Sequence, residues 1–222
     1  MGRITQPKGF KGSLKWIQAT VNISPSLINK PINEFVGFKD EVPIEWLSPR
    51  MEDDYAEYRD QAFPDLLGIK LSKVTLVEFW PSRGPQWDAL GRMGDRAYFL
   101  VEAKGHISEI VSSSQAKSPS SKALIEKSLN ATQSYLGLKK DIDLTKGFYQ
   151  YANRLAHLYL LRELNNIPAY LVFVYFVNDL THISTTKQEW MGALDLMHSL
   201  LGSNHHKLSK YIIDVFIDVA KV

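Results

Sequence analysis

Nine consecutive apolar residues, Ala169 to Val177 (AYLVFVYFV), constrain this chain more than any other feature. The run is too short to cross a bilayer as a helix, which takes about 20 residues. It also lacks the polar alternation of a strand with one face in water. It reads as a central strand buried on both faces, and such a strand needs layers of structure above and below its sheet. A chain of 222 residues is long enough to supply those layers around one core.

Residues 1–48 are punctuated by Gly and Pro (PKGFKGSLKW, SPSLINKPI, DEVPIEW) and read as an extension packed on the core. A short helix starts there at about Ser13, with Leu14, Ile17 and Val21 on one face. Residues 49–222 read as a single α/β domain. A helix is expected over Glu52 to Leu67, with acids in its first turn, a break near Pro64 and Gly68 to close it. Three strands then form an antiparallel meander, Lys73 to Trp80, Gln86 to Met93 and Ala97 to Lys104, joined by turns at PSRGP and GDR. A helix beginning near His106 leads through a Ser-rich linker (SSSQAKSPSSK) to a helix over Ser120 to Leu136. An amphipathic helix over 147–166 runs into the apolar strand. A helix capped by Thr185 or Thr186 and ended by Gly202, then a strand through Ile213, Val215, Ile217 and Val219, complete the chain. The expected architecture is a mixed central sheet flanked by helices.

The chemistry is narrowed by what the sequence lacks. It has no cysteine, which removes disulfides, zinc–thiolate sites and thiol nucleophiles. That fits a cytoplasmic location, as does a first segment without the apolar stretch of a signal peptide, and no membrane partner is expected. There is no Gly-rich phosphate loop and no G-x-S-x-G elbow. The formal net charge is only +2, so any basic surface must come from arrangement rather than total charge.

One constellation stands out. Phe99 to Val101 read as buried strand, and the same strand runs into Glu102 and Lys104, two charges on one face. Burying them is costly unless they meet each other, a metal or a substrate. Asp88 lies one hairpin upstream, where pairing brings it beside Glu102. Two carboxylates and a backbone carbonyl suit a hard divalent ion such as Mg²⁺ or Mn²⁺, with Lys104 next to the attacking water or the phosphate.

Asp88 followed by Glu102-Ala103-Lys104 resembles the signature of the PD-(D/E)XK nucleases, the restriction-endonuclease-like superfamily, and the element order resembles its αβββαβ core over roughly 52–177. The blocks GPQWDAL, VEAKGHI and YQYANRLAHLYLLR are also similar to segments of uncharacterised bacterial proteins. Gln86-Trp87-Asp88 departs from the family name, since no Pro precedes the acid. The resemblance implies Mg²⁺- or Mn²⁺-dependent phosphodiester hydrolysis, with nucleic acid as partner and DNA ahead of RNA. It implies Asp88, Glu102 and the Ala103 carbonyl as metal ligands and Lys104 acting on the nucleophile. It further implies an acid from the helix before the first strand, Glu57 ahead of Glu52, and a polar residue on the helix after the motif, Gln150, with Arg154 one turn on. A second copy of the chain or a partner protein could supply specificity.

Plainer readings stand beside these. Glu102 and Lys104 could form a salt bridge at a sheet end, with Asp88 as the lysine's partner. Glu57 could be one of a solvated acidic helix face. Gln150 and Arg154 could be an exposed polar stripe, or Arg154 could meet a phosphate. His106 could contact substrate or cap a helix. Trp87, adjacent to Asp88, is expected on the opposite sheet face. Lys117 and Lys122 could reach phosphates from the Ser-rich linker. The alternative function is a catalytically inactive nucleic-acid-binding or assembly module with the same fold.

Overall fold

The computed structural model describes residues 2–38 and 43–222; residues 39–42, the last three of which open the Pro-punctuated stretch DEVPIEW, lie outside them. Five strands build a mixed sheet: β2 (Glu45–Ser48), β4 (Ala89–Met93), β5 (Ala97–Lys104), β6 (Ala169–Val177) and β7 (Ile212–Asp218), side by side in that order. β2, β4 and β5 are antiparallel, whereas β5, β6 and β7 are parallel. Two short strands, β1 (Arg3–Ile4) and β3 (Glu57–Tyr58), pair separately.

The sheet is covered on both faces, as the uniformly apolar β6 requires. Helices α1 (Gly12–Asn22) and α2 (Ser26–Val36) set Ile17, Val21, Ile28 and Ile32 against Phe99, Val101, Val172 and Val174. On the other face, α5 (Pro119–Leu136), α6 (Tyr149–Tyr159) and α7 (Lys187–Leu201) pack on Leu90, Leu100, Leu171 and Phe173. β5 alternates between the two clusters, and its last even-numbered residues, Glu102 and Lys104, point toward the α6 face.

Local signals explain the well-anticipated helices. Ser118 accepts from Ser121 N–H with Pro119 in the first turn of α5, and Thr186 with Glu189 forms a capping box on α7. Gly137 and Gly202 close these helices with φ of +73° and +67°. α6 ends at Tyr159 and continues as a wider π turn to Leu164.

Three expected elements differ. The stretch 52–67 is not one helix. Asp54, Tyr55 and Asp60 adopt positive φ, which breaks the helical path. Asp53 accepts from Arg3 and from Tyr58, Glu57 turns inward, and only α3 (Ala62–Leu67) is α-helical. Lys73 to Trp80 is not a strand. Thr75 and Glu78 form a capping box, with Thr75 N–H donating to Glu78 Oε2 at 2.8 Å, and start a helical turn, α4 (Leu76–Phe79). The first strand of the meander is β2, which pairs with β4 and lays Trp46 over Gly91. The helix expected near His106 is a single 3-10 turn over Ile107–Ile110.

Candidate active site

The floor of the site forms where β4 begins beside the end of β5. Asp88 N–H donates to the Val101 carbonyl at 3.1 Å, and the Ala103 N–H donates to Asp88 Oδ2 at 2.7 Å. Asp88 is therefore held by backbone on both sides. Because N–H and C=O of a strand residue point to the same edge, the Ala103 carbonyl is turned toward Asp88 as well. Among the described residues, no donor reaches the other Asp88 oxygen.

Glu102 and Lys104 are 3% and 7% exposed. Lys104 Nζ donates to Glu102 Oε1 at 2.5 Å and to Gln150 Oε1 at 2.8 Å. Arg154 Nε donates to Glu102 Oε2 at 2.7 Å, while its two terminal nitrogens bond Asn153 Oδ1 and the Gln86 carbonyl, each at 2.9 Å. The guanidinium carbon sits 4.8 Å above the Trp87 ring. Gln150 and Arg154, one turn apart on α6, thus grip the two residues of β5 from across the core.

Glu57 reaches the same cleft from β3 and not from a helix before the first strand. Gln6 and Gln86 donate to its Oε2 at 2.9 and 2.5 Å. The cleft has a volume of about 1060 Å³, with Glu57, Asp88, Glu102, Lys104, Gln150 and Arg154 among its lining residues.

Three acids and two cations meet there, and the field is uneven. Burial pushes Asp88 well above the ordinary carboxylate range, reinforced by repulsion from Glu102 and then Glu57. Burial likewise raises Glu57, with its two glutamine bonds opposing. Burial would raise Glu102 too, but Arg154 and Lys104 outweigh it and hold its carboxyl below the ordinary value. The under-neutralised group is Asp88, with one oxygen bare of donors. That is where a cation would be held, by Asp88, Glu102 and the Ala103 carbonyl, with water or substrate oxygens for the rest. Among the described residues, no three His, Asp or Glu side chains gather closely enough to hold a metal by themselves.

The expected residues divide clearly. Asp88, Glu102, Ala103, Lys104, Gln150, Arg154 and Glu57 come together. His106 does not line the cleft; it pairs with Glu109 at 3.2 Å and meets Ser108 Oγ at 2.7 Å. Glu52 pairs with Arg50 at the surface. Trp87 lies on the same side as the site, against the expected alternation, because the backbone bends at Asp88 before β4 begins; the Trp87 N–H donates to the Tyr58 carbonyl at 3.0 Å. Gln86 and Asn153 were signalled only by their nearness in sequence to Asp88, two residues on, and to Arg154, the next residue. Gln6 carried no signal, since it arrives through the β1–β3 pairing.

Among the described residues no helix is long and apolar enough to cross a membrane. No family model, no curated protein and no solved structure matches the chain.

Proposed function

We propose that the chain hydrolyses phosphodiester bonds in nucleic acid, DNA ahead of RNA, with the help of Mg²⁺ or Mn²⁺, on a restriction-endonuclease-like core. The observation that carries the reading is the meeting in one cleft of Asp88, the Ala103 edge, Glu102 and Lys104. The sheet supports it: three antiparallel strands, β2, β4 and β5, continue into the parallel β6, with β3, α3 and α4 inserted in the chain between β2 and β4.

Asp88, Glu102 and the Ala103 carbonyl would hold the cation, which when bound supplies neutralisation of charge on the phosphoryl oxygens. The chain's own groups do the rest. An ammonium has three donors, and Lys104 uses two of them on Glu102 and Gln150. The third is left to orient a water or stabilise a phosphoryl oxygen. Gln150 fixes the lysine, and Arg154 fixes Glu102. Glu57, raised by burial, is suited to take up a proton.

A second reading, an inactive binding or assembly module, is favoured by one observation: both Glu102 oxygens already face cations of the chain. The test is a cleavage assay on single- and double-stranded DNA and RNA with Mg²⁺, Mn²⁺ or EDTA, alongside Lys104→Ala. Metal-dependent cutting that drops by about a hundredfold or more in the variant is expected. No cutting with either metal, and no heat of metal binding by calorimetry, would sink the hydrolase reading in favour of the module.

A further inference from the structure

The geometry points to the rim of this cleft as a track for an unpaired polynucleotide strand, with Arg83 and Lys117 on its phosphates and Phe10 stacked on a base. The inference takes the cleft of the hydrolase reading as its site and names the form of its substrate.

The charge of the chain is sorted around the cleft. Its floor holds Glu57, Asp88 and Glu102. Its walls are the loop 80–86 and the segment 112–121, with Ser13 at the start of α1 closing one end. No acid occurs before Glu34, between Glu78 and Asp88, or between Glu109 and Glu126. The two walls carry the exposed cations Arg83 and Lys117, and exposed Lys8 and Lys11 lie in the segment that leads into Ser13. Among the described residues, none of these four forms an ion pair with an acid. Glu109, the one further acid lining the cleft, is engaged by the Gly105 N–H at 3.1 Å and by His106. In a chain of net charge +2, basic walls over an acidic floor suit a polyanion whose backbone follows the rim while one phosphate meets the floor.

The walls are built rather than loose. Asp60 accepts from the N–H groups of Arg83 and Gly84 at 3.1 and 2.8 Å, which fixes that loop. The Ser-rich segment, expected as a linker, is pinned by Ser112 N–H to the Gly147 carbonyl and Ser114 N–H to the Thr145 carbonyl, at 2.6 and 2.8 Å. Ser112 Oγ accepts from Gln150 N–H at 2.8 Å, so this wall is tied to the helix start that holds Lys104.

Phe10 separates a single strand from a duplex. It is 79% exposed, three residues from Ser13 at the end of the cleft. The turn presenting it is clamped by the buried Gln18, which accepts from Gly9 N–H at 2.8 Å and donates to the Pro7 carbonyl at 3.0 Å. A rigidly displayed aromatic ring between lysines is a stacking platform for a base, and the bases of an intact duplex are closed to it.

The experiment is fluorescence anisotropy with labelled oligo-dT and a duplex of equal length, in EDTA so that cleavage does not intervene. Tighter binding of the single strand is expected. Phe10→Ala, an exposed truncation, should weaken single-strand binding by about tenfold and leave the duplex unchanged. Lys117→Ala should lower the salt slope of single-strand binding by about 0.7. Equal single-strand binding by wild type and Phe10→Ala, or a preference for duplex, would overturn the inference even if the wild type cuts DNA. Binding with these losses, with no cutting by either metal and no heat of metal binding, would uphold the track and overturn the hydrolase reading. Binding of neither form would overturn the track and leave the hydrolase reading to the cleavage assay.

Discussion

Arg154 on α6 donates from Nε to Glu102 Oε2 at 2.7 Å, so helix and sheet are joined by an ion pair at the floor of the cleft. Their side chains are 5% and 4% exposed, which places this pair outside the class of weak surface bridges.

Arg154→Ala should therefore cost about 3–5 kcal/mol, because it leaves a buried carboxylate short of a partner. Arg154→Lys should recover only part of this, since an ammonium cannot hold Glu102, Asn153 and the Gln86 carbonyl together while lying flat on Trp87. Pairing Arg154→Ala with Glu102→Gln should give a smaller loss than the sum of the single changes. Urea unfolding of the four proteins measures the coupling, and additivity would show that the pair is not the cause.

Asp88→Asn should trade function for stability. A carboxyl raised by burial and by neighbouring acids binds more protons folded than unfolded, so stability falls as pH rises from about 3.9 through the folded value. Removing the charge should stabilise the fold at pH 7 by about 1 kcal/mol, with the gain shrinking toward pH 4. Asn keeps an oxygen for the Ala103 N–H, so the backbone link survives. Thermal melts at the two pH values test this. Mn²⁺ should raise the melting temperature of the wild type and leave that of Asp88→Asn unmoved.

The core of the site was legible because it depends on short-range rules. Alternation along β5 put Glu102 and Lys104 on one face, the hairpin length put Asp88 opposite, and the i, i+4 spacing put Gln150 and Arg154 together. What was missed depends on contacts far apart in sequence. The four-residue strand β2 is defined by pairing with β4, not by its own pattern. Glu57 comes from a strand because Arg3 and Tyr58 draw Asp53 out of the helix its acids suggested. The capping box at Thr75 and Glu78 was present in the sequence, but the apolar alternation around it suggested a strand.

The edge of the sheet gives an independent check on that correction. A methyl group on Gly91 would lie 2.8 Å from Trp46 Cε3, closer than such atoms can approach. Gly91→Ala should push the indole off β4 and cost about 1–3 kcal/mol. A shift in tryptophan emission should accompany the loss, because Trp46 is buried by this contact. Unchanged stability and emission would mean that β2 does not sit where β4 needs it.

His157 should make the protein acid-sensitive. It lies fully buried among Phe63, Phe79, Trp80 and Trp87, with Nδ1 2.8 Å from the Asn153 carbonyl. Burial lowers its pKa to about 3, and the nearby Arg154 adds to this while the Asn153 carbonyl opposes it. The unfolded chain then binds a proton that the folded chain refuses between about pH 6.5 and 3, so stability is full above 6.5 and drains below it. Between pH 7 and 5 the loss from this one group should be about 2 kcal/mol. His157→Leu lowers stability at pH 7 by losing the bond to Asn153, yet its urea midpoint should vary less with pH than that of the wild type. Parallel pH profiles would show that the buried imidazole is not what acid attacks.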